Sequence, residues 1–299
     1  MPGAEQPERG RFRWRGRAAF LGALALMLGV LRLSGLMERL FFFPDRAPFA
    51  TDPGATDIFI ATRDGLALHG WMLHARGSPD ADRSAAVRAP AVLFCHGNAG
   101  NVSSHAAYAS WLAERGFHVL VFDYRGYGRS DLPRGALSRD DLLADANAAL
   151  DWLLARPEVD ASRVAVYGYS LGAAAALAVA AERREVRAVV TTAGFASWRS
   201  IADDHAPLLG RLMIRPGMDP VDSAARLGDR PLLIVHPGRD EIVPVSHASR
   251  LEQAARGAGV AVETYISPGT SHNDAPFDDA EINRRIAAFL ERWLLADRR

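Results

Sequence analysis

The chain has 299 residues, enough for one large α/β domain or two small ones. Its apolar content of 49% and charged content of 23% suit a globular protein with a substantial core. A formal net charge of zero, from 35 basic and 35 acidic residues, excludes a global field that would draw nucleic acid. A single cysteine, Cys95, excludes an internal disulfide framework and any multi-cysteine metal site.

Residues 1–17 form a polar tail carrying Arg9, Arg11, Arg13, Arg15 and Arg17. Ala18 to Met37 is then almost wholly apolar, broken by Arg32, and twenty helical residues span about 30 Å, the hydrocarbon thickness of a bilayer. Glu38-Arg39-Leu40-Phe41-Phe42-Phe43-Pro44 follows, with aromatic residues suited to an interface. The expectation is a single-pass anchor over residues 18–40, contacting membrane lipid. The basic cluster before it predicts a cytoplasmic N-terminus, with the remainder on the extracytoplasmic side. A cleaved signal peptide and a surface-lying amphipathic helix are the competing readings.

Residues 41–55, rich in proline, read as a linker, and 56–299 as the folded domain. Thr56–Thr62 and Leu66–Leu73 flank Asp64-Gly65, which predicts a hairpin. After a polar loop over 74–90, strands and helices alternate. Strands are expected at Ala91–Cys95, His118–Asp123, Arg163–Tyr167, Val186–Thr192, Pro231–His236 and Val260–Ile266. Helices are expected at Asn101–Arg115, Ser138–Ala155, Ser170 to about Ala181, Val245–Arg256 and Ala280–Leu295. Such alternation predicts an α/β fold: a mostly parallel, eight-stranded sheet with helices on both faces. Between Phe195 and Arg230 there is room only for a minimal lid, with one amphipathic helix around Ile201–Met213. Leu208, Leu209, Leu212 and Met213 there either cover a site or pack on the core, packing being the commoner outcome.

Gly168-Tyr169-Ser170-Leu171-Gly172 joins a buried strand to an alanine-rich helix. Gly-x-Ser-x-Gly in that setting is a nucleophile elbow, where side chains at the two glycines would strike the flanking strand or helix. A serine hydroxyl is a weak nucleophile and needs a base, which in turn needs an orienting acid. With this topology the partners follow in the order serine, acid, histidine, each in a loop after a strand. Asp240, after Pro231–His236, fits the acid, with Glu241 beside it as the alternative; His272, after Val260–Ile266, fits the base. His69, His74 and His118 precede the serine, His205 precedes the acid, His236 ends a strand, and His247 falls in a helix. The backbone N–H groups of Leu171 and of Asn98, in Cys95-His96-Gly97-Asn98-Ala99-Gly100-Asn101, are candidate oxyanion donors. His96 is expected to orient that loop, and Asp123-Tyr124-Arg125-Gly126-Tyr127-Gly128-Arg129-Ser130 to shape its neighbour. The glycine-rich loop lacks the Lys-Ser/Thr pair and the G-x-G-x-x-G pattern that phosphate binding requires.

In order and spacing, HGNAGN, DYRGYGRS, GYSLG, HPGRDEIVP and GTSHND resemble the α/β-hydrolase superfamily of serine hydrolases over residues 38–299. The similarity is greatest to the branch with an N-terminal membrane anchor that includes yeast bud-emergence-related proteins and vertebrate protein depalmitoylases. The resemblance implies Ser170 as nucleophile, His272 as base, Asp240 as orienter and the Asn98 and Leu171 amides as oxyanion donors. It implies hydrolysis of a small-molecule or lipid acyl ester or thioester through an acyl-enzyme, with no metal and no organic cofactor. A serine peptidase of the same fold and a non-catalytic scaffold are the alternatives. Aspartate-nucleophile dehalogenase and epoxide-hydrolase chemistry is disfavoured by the serine.

Overall fold

The computed structural model describes residues 26–30, 32–34, 39, 41–47, 49–52, 54–76 and 88–295. The basic tail over 1–17, most of the anchor expected over 18–40 and much of the loop 74–90 lie outside them. Among the described residues no helix is long and apolar enough to cross a membrane.

Asp64-Gly65 supplies a turn with Gly65 at φ 82°, and β1 (Ala55–Ala61) pairs antiparallel with β2 (Ala67–Leu73) around it. β2 runs antiparallel to β4 (His118–Phe122), and every later pairing is parallel. The eight strands lie in the order β1-β2-β4-β3-β5-β6-β7-β8, with β3 at Ala89–Cys95 and β5 at Val159–Tyr169. β6 is Val186–Thr192, β7 Leu232–Pro237 and β8 Val262–Ser267. Being covered on both faces, β3 and β4 are buried at every position, which is why they read as continuous apolar runs.

The helix expected from Asn101 to Arg115 is instead one α-helical turn, α1 (Val102–His105), continued by 3-10 turns over Ala106–Tyr108 and Ser110–Arg115. Its buried residues Ala106, Ala109 and Leu112 are three apart, the period of the tighter helix. Ser138 caps α2 (Arg139–Leu154) by accepting from the Asp141 amide. α3 (Leu171–Glu182) is buried nearly all round because it crosses beneath β5 and β6. The segment expected as one helix over Ile201–Met213 divides into α4 (Trp198–His205) and α5 (Leu209–Met213). Pro207 cannot continue a helical ladder, and the break falls there. α6 (Pro220–Ala224), α7 (Ser246–Gly257), α8 (Ala275–Asp278) and α9 (Ala280–Leu294) complete the chain. α2, α3 and α7 contribute to the core on one face of the sheet, while the 3-10 turns and α9 cover the other.

Strand order reverses between β3 and β5, so the loops leaving their C-terminal ends diverge and open a crevice there. Asn98 stands in the loop after β3 and Ser170 in the turn after β5.

Candidate active site

The turn from β5 into α3 leaves no room for side chains at its two glycines. A Cβ on Gly168 would lie 2.3 Å from the Gly172 carbonyl oxygen, and one on Gly172 would lie 1.9 Å from that of Cys95. Ser170 between them sits at φ 52°, a left-handed conformation that costs a non-glycine residue of order 1–3 kcal/mol. Its backbone N–H donates to Thr192 O at 2.9 Å, tying the strained residue to β6 and leaving Oγ above the sheet.

The loops after β7 and β8 bring two further groups to this hydroxyl. His272 Nε2 lies 3.0 Å from Ser170 Oγ, and His272 Nδ1 lies 2.7 Å from Asp240 Oδ2. The other Asp240 oxygen, Oδ1, accepts the Ile242 and Val243 amides at 2.9 and 2.7 Å, which fixes the carboxylate plane. A carboxylate can only accept, so Nδ1 donates to Asp240, which leaves Nε2 facing the hydroxyl. Glu241, the alternative acid, instead accepts the His272 backbone N–H at 3.3 Å. His236 is buried beside them, its Nε2 donating to Val243 O at 2.9 Å, and burial depresses its basicity so that it braces the Asp240 loop as a neutral ring.

Tyr169 and Tyr108, which sequence reasoning passed over, hold the histidine loop. The Tyr169 hydroxyl donates to His272 O at 2.9 Å, and that of Tyr108 donates to Asn273 O at 2.9 Å. Tyr169 is the variable residue of the elbow motif, where pattern matching carries no signal.

Leu171 is the first residue of α3, so its N–H has no intrahelical acceptor and points with the positive end of the helix dipole. Asn98 faces it from the β3 loop, where Ala99 and Gly100 take positive φ. Asn98 is held by a segment that reads as a linker in the sequence. Its Oδ1 accepts the Phe43 amide at 2.9 Å, the Tyr127 hydroxyl at 2.8 Å and the Ala99 amide at 3.1 Å, while Nδ2 donates to Phe41 O. The side-chain amide thus pairs with the chain on both sides of Phe42 as a neighbouring strand would. The strap continues with Gly128 N donating to Asp45 O at 2.9 Å and Arg46 donating to Ser130 O at 2.7 Å. Phe42 is buried, and Phe41 packs edge-on against Trp198 with centroids 5.6 Å apart. No residue pattern in Phe41-Phe42-Phe43 distinguishes a strap from an interfacial aromatic cluster.

Of the other histidines, His69, His96 and His247 brace loops. His96 is wholly buried, donates from Nδ1 to Gly97 O at 2.7 Å and stacks on His105; burial pulls its basicity down to about 3, so it stays neutral. The expectation that it orients the loop agrees with this geometry. Asp123 accepts the Val102 amide at 2.8 Å and lies 3.3 Å from His69, joining the DYRGYGRS turn to the loop after β3. Arg125 in that turn donates to Asp145 through Nε at 2.9 Å and Nη2 at 2.6 Å. His247 is buried under the lid, accepting the Ala196 amide at 2.9 Å and donating to Asp204 of α4 at 2.6 Å.

Ser170, Leu171 and Asn98 open into a cavity of about 470 Å³. Its lining is apolar except for Asn98, Ser170 and His205, with Trp198, Ile201, Leu209 and Met213 of the lid on one side and Phe41 and Phe43 on another. Met213 and Leu209 therefore cover the site, while Leu208 and Leu212 face outward. A depression of about 680 Å³ at the N-terminal ends of β6 and β7 is lined by Arg184, Arg187, Arg226 and Arg230, and shares no residue with this cavity.

A mostly parallel sheet with a serine at an elbow after its fifth strand, and histidine and aspartate in later strand-end loops, defines a hydrolase of the α/β class. A family model described as serine aminopeptidase S33 (Hydrolase_4) matches residues 87–218. The Mycobacterium tuberculosis protein Rv2307c is 36% identical over 252 residues, covering 82% of this chain and 83% of its own length. Protein bem46 of Schizosaccharomyces pombe is 27% identical over 238 residues, covering 78% and 75%. Among solved structures, the Pyrococcus furiosus esterase Pf2001 superposes with a TM-score of 0.69 at 20% identity, over 85% of this chain and 98% of that one. The chain belongs to one family with Rv2307c, and to the α/β-hydrolase superfamily of serine hydrolases.

Proposed function

We propose that this protein is a membrane-anchored serine esterase or thioesterase that works through an acyl-enzyme. The observation that carries the reading is the hydrogen-bonded chain from Ser170 Oγ through His272 to Asp240, at 3.0 and 2.7 Å, on the floor of an apolar cavity. Ser170 Oγ attacks the acyl carbonyl carbon as His272 Nε2 takes its proton, and Asp240 stabilises the imidazolium so formed. The carbonyl oxygen becomes an oxyanion between the Asn98 and Leu171 N–H groups, donors whose individual loss typically costs a hundredfold or more. His272 returns the proton to the departing alkoxide or thiolate. A water, deprotonated by the same nitrogen, then releases the acid and restores the serine.

An aminopeptidase, the activity in the matching family's description, would need a carboxylate to hold a free α-ammonium. The cavity lining among the described residues offers none, which favours an acyl chain over a peptide N-terminus. The apolar run over 18–37 supports an anchor, and the arginines before it support an extracytoplasmic catalytic domain. The test is labelling by a fluorophosphonate probe together with hydrolysis of p-nitrophenyl esters and thioesters of graded chain length. The wild type is expected to label and turn over, and Ser170→Ala to do neither with little change in melting temperature. A folded wild type that stays unlabelled, or a Ser170→Ala variant that retains turnover, overturns the assignment.

A further inference from the structure

The mouth of the cavity is ringed by large apolar side chains that face solvent. Phe43 is 60% exposed, Leu209 50% and Ile242 39%, and all three also line the cavity. Next to them on the lid, Leu208 is 80% and Leu212 48% exposed, and Val245 is exposed as well. Single exposed apolar residues are ordinary on a protein surface, but a contiguous group around a pocket mouth marks a place where something apolar binds. Leu208 adds an independent sign. It sits at φ 64°, where a branched apolar residue is strained, yet its side chain is turned to solvent and not into the core. Its amide is held by Asp203 Oδ1 at 2.8 Å, so the conformation that turns the leucine outward is fixed by the lid itself.

We infer that this rim docks on a lipid bilayer, so that the cavity opens into the membrane surface and takes its acyl substrate from there. The occupant follows from where the chain comes from. Residues 18–37 are apolar, and the polypeptide leaving them reaches the domain at Phe41–Phe43, on the rim of this same mouth. In the described part of that run, Leu26, Met27, Val30 and Leu33 are themselves exposed, so they do not cover the lid leucines. Arg39, two residues before Phe41, and Arg211, between Leu209 and Leu212, are also exposed, where lipid phosphates would meet them. The inference deepens the hydrolase reading by placing its substrate in the bilayer, and rests on that reading for the substrate's chemistry alone.

The test uses the full chain reconstituted in vesicles of phosphatidylethanolamine and phosphatidylglycerol. Cys95 is wholly buried in β3, so Leu208→Cys, Leu212→Cys and, just before the N-terminal end of β6, Arg184→Cys each accept one fluorophore. Nitroxide groups carried on the lipid acyl chains are expected to quench the labels at 208 and 212 severalfold and to leave the label at 184 unchanged. Equal emission with and without nitroxide lipid at all three positions overturns the proposal, whether water, a second copy or the N-terminal apolar run covers the leucines. Quenching needs no turnover, so fluorophosphonate labelling of the same samples reports separately on the hydrolase reading. Labelling without quenching refutes the docking surface alone, and quenching without labelling refutes the hydrolase alone.

Discussion

Replacing Asn98 by alanine removes the side-chain amide that ties the oxyanion loop to the strap while leaving its backbone N–H in place. The Phe43 and Ala99 amides and the Phe41 carbonyl lose a partner that water replaces, each at a net cost of about 1 kcal/mol or less. The Tyr127 hydroxyl is different, because Tyr127 is buried and donates to Asn98 Oδ1 at 2.8 Å; an orphaned buried hydroxyl costs about 1–3 kcal/mol. The loop is thus released by roughly 1–6 kcal/mol, and its N–H is no longer held in place. Since outright loss of such a donor costs about a hundredfold or more, Asn98→Ala should lower kcat for a short soluble ester by ten- to a hundredfold on that scale, with KM little changed. Stopped assays on p-nitrophenyl acetate separate the two constants. Truncation of residues 1–47, which removes the strap, should match it, whereas truncation of 1–40 should spare the rate. If Asn98→Ala and the 1–47 truncation both stay within about twofold of wild-type kcat/KM, the strap does not position the site.

Two further outcomes concern stability. Asp145→Ala leaves the guanidinium of Arg125 buried without its bidentate partner and should cost about 3–5 kcal/mol by urea unfolding; a loss below about 1 kcal/mol would show that Asp64 and Asp141 carry the arginine unaided. Burial holds His96 near 3 and His105 near 4 in the folded state, below the usual imidazole value of 6.5. Stability from these neutral rings is therefore complete above the unfolded pKa and is lost as pH falls and the unfolded chain takes up protons. Between pH 7.5 and 5 His96 alone should account for about 2 kcal/mol, so His96→Gln should flatten the urea midpoint against pH by that amount, and an unchanged slope would refute it.

The layout of the candidate site was legible in the sequence because each of its loops follows a strand and carries its own local signal. Gly168 and Gly172 mark a turn that admits no side chain, and chain order with loop placement picks Asp240 and His272 from their competitors. The strand pattern was legible for a related reason: a sheet buried on both faces demands uninterrupted apolar runs. Helices after β3 and in the lid were less legible. A three-residue spacing of buried positions and a proline at 207 redirect hydrogen bonds that an α-helical period alone would keep.

What the residues indicated by themselves were the candidate groups whose reactivity depends on type and immediate neighbours: Ser170, His272 and Asp240, with the amides of Asn98 and Leu171. What tertiary structure decided was which distant segments serve those groups. Phe41–Phe43 became a strap on Asn98, Tyr169 a brace for the His272 loop, and His247 a pin under the lid. Hydrogen bonds between residues tens of positions apart are set by how a sheet folds loops together, and no local pattern encodes that proximity.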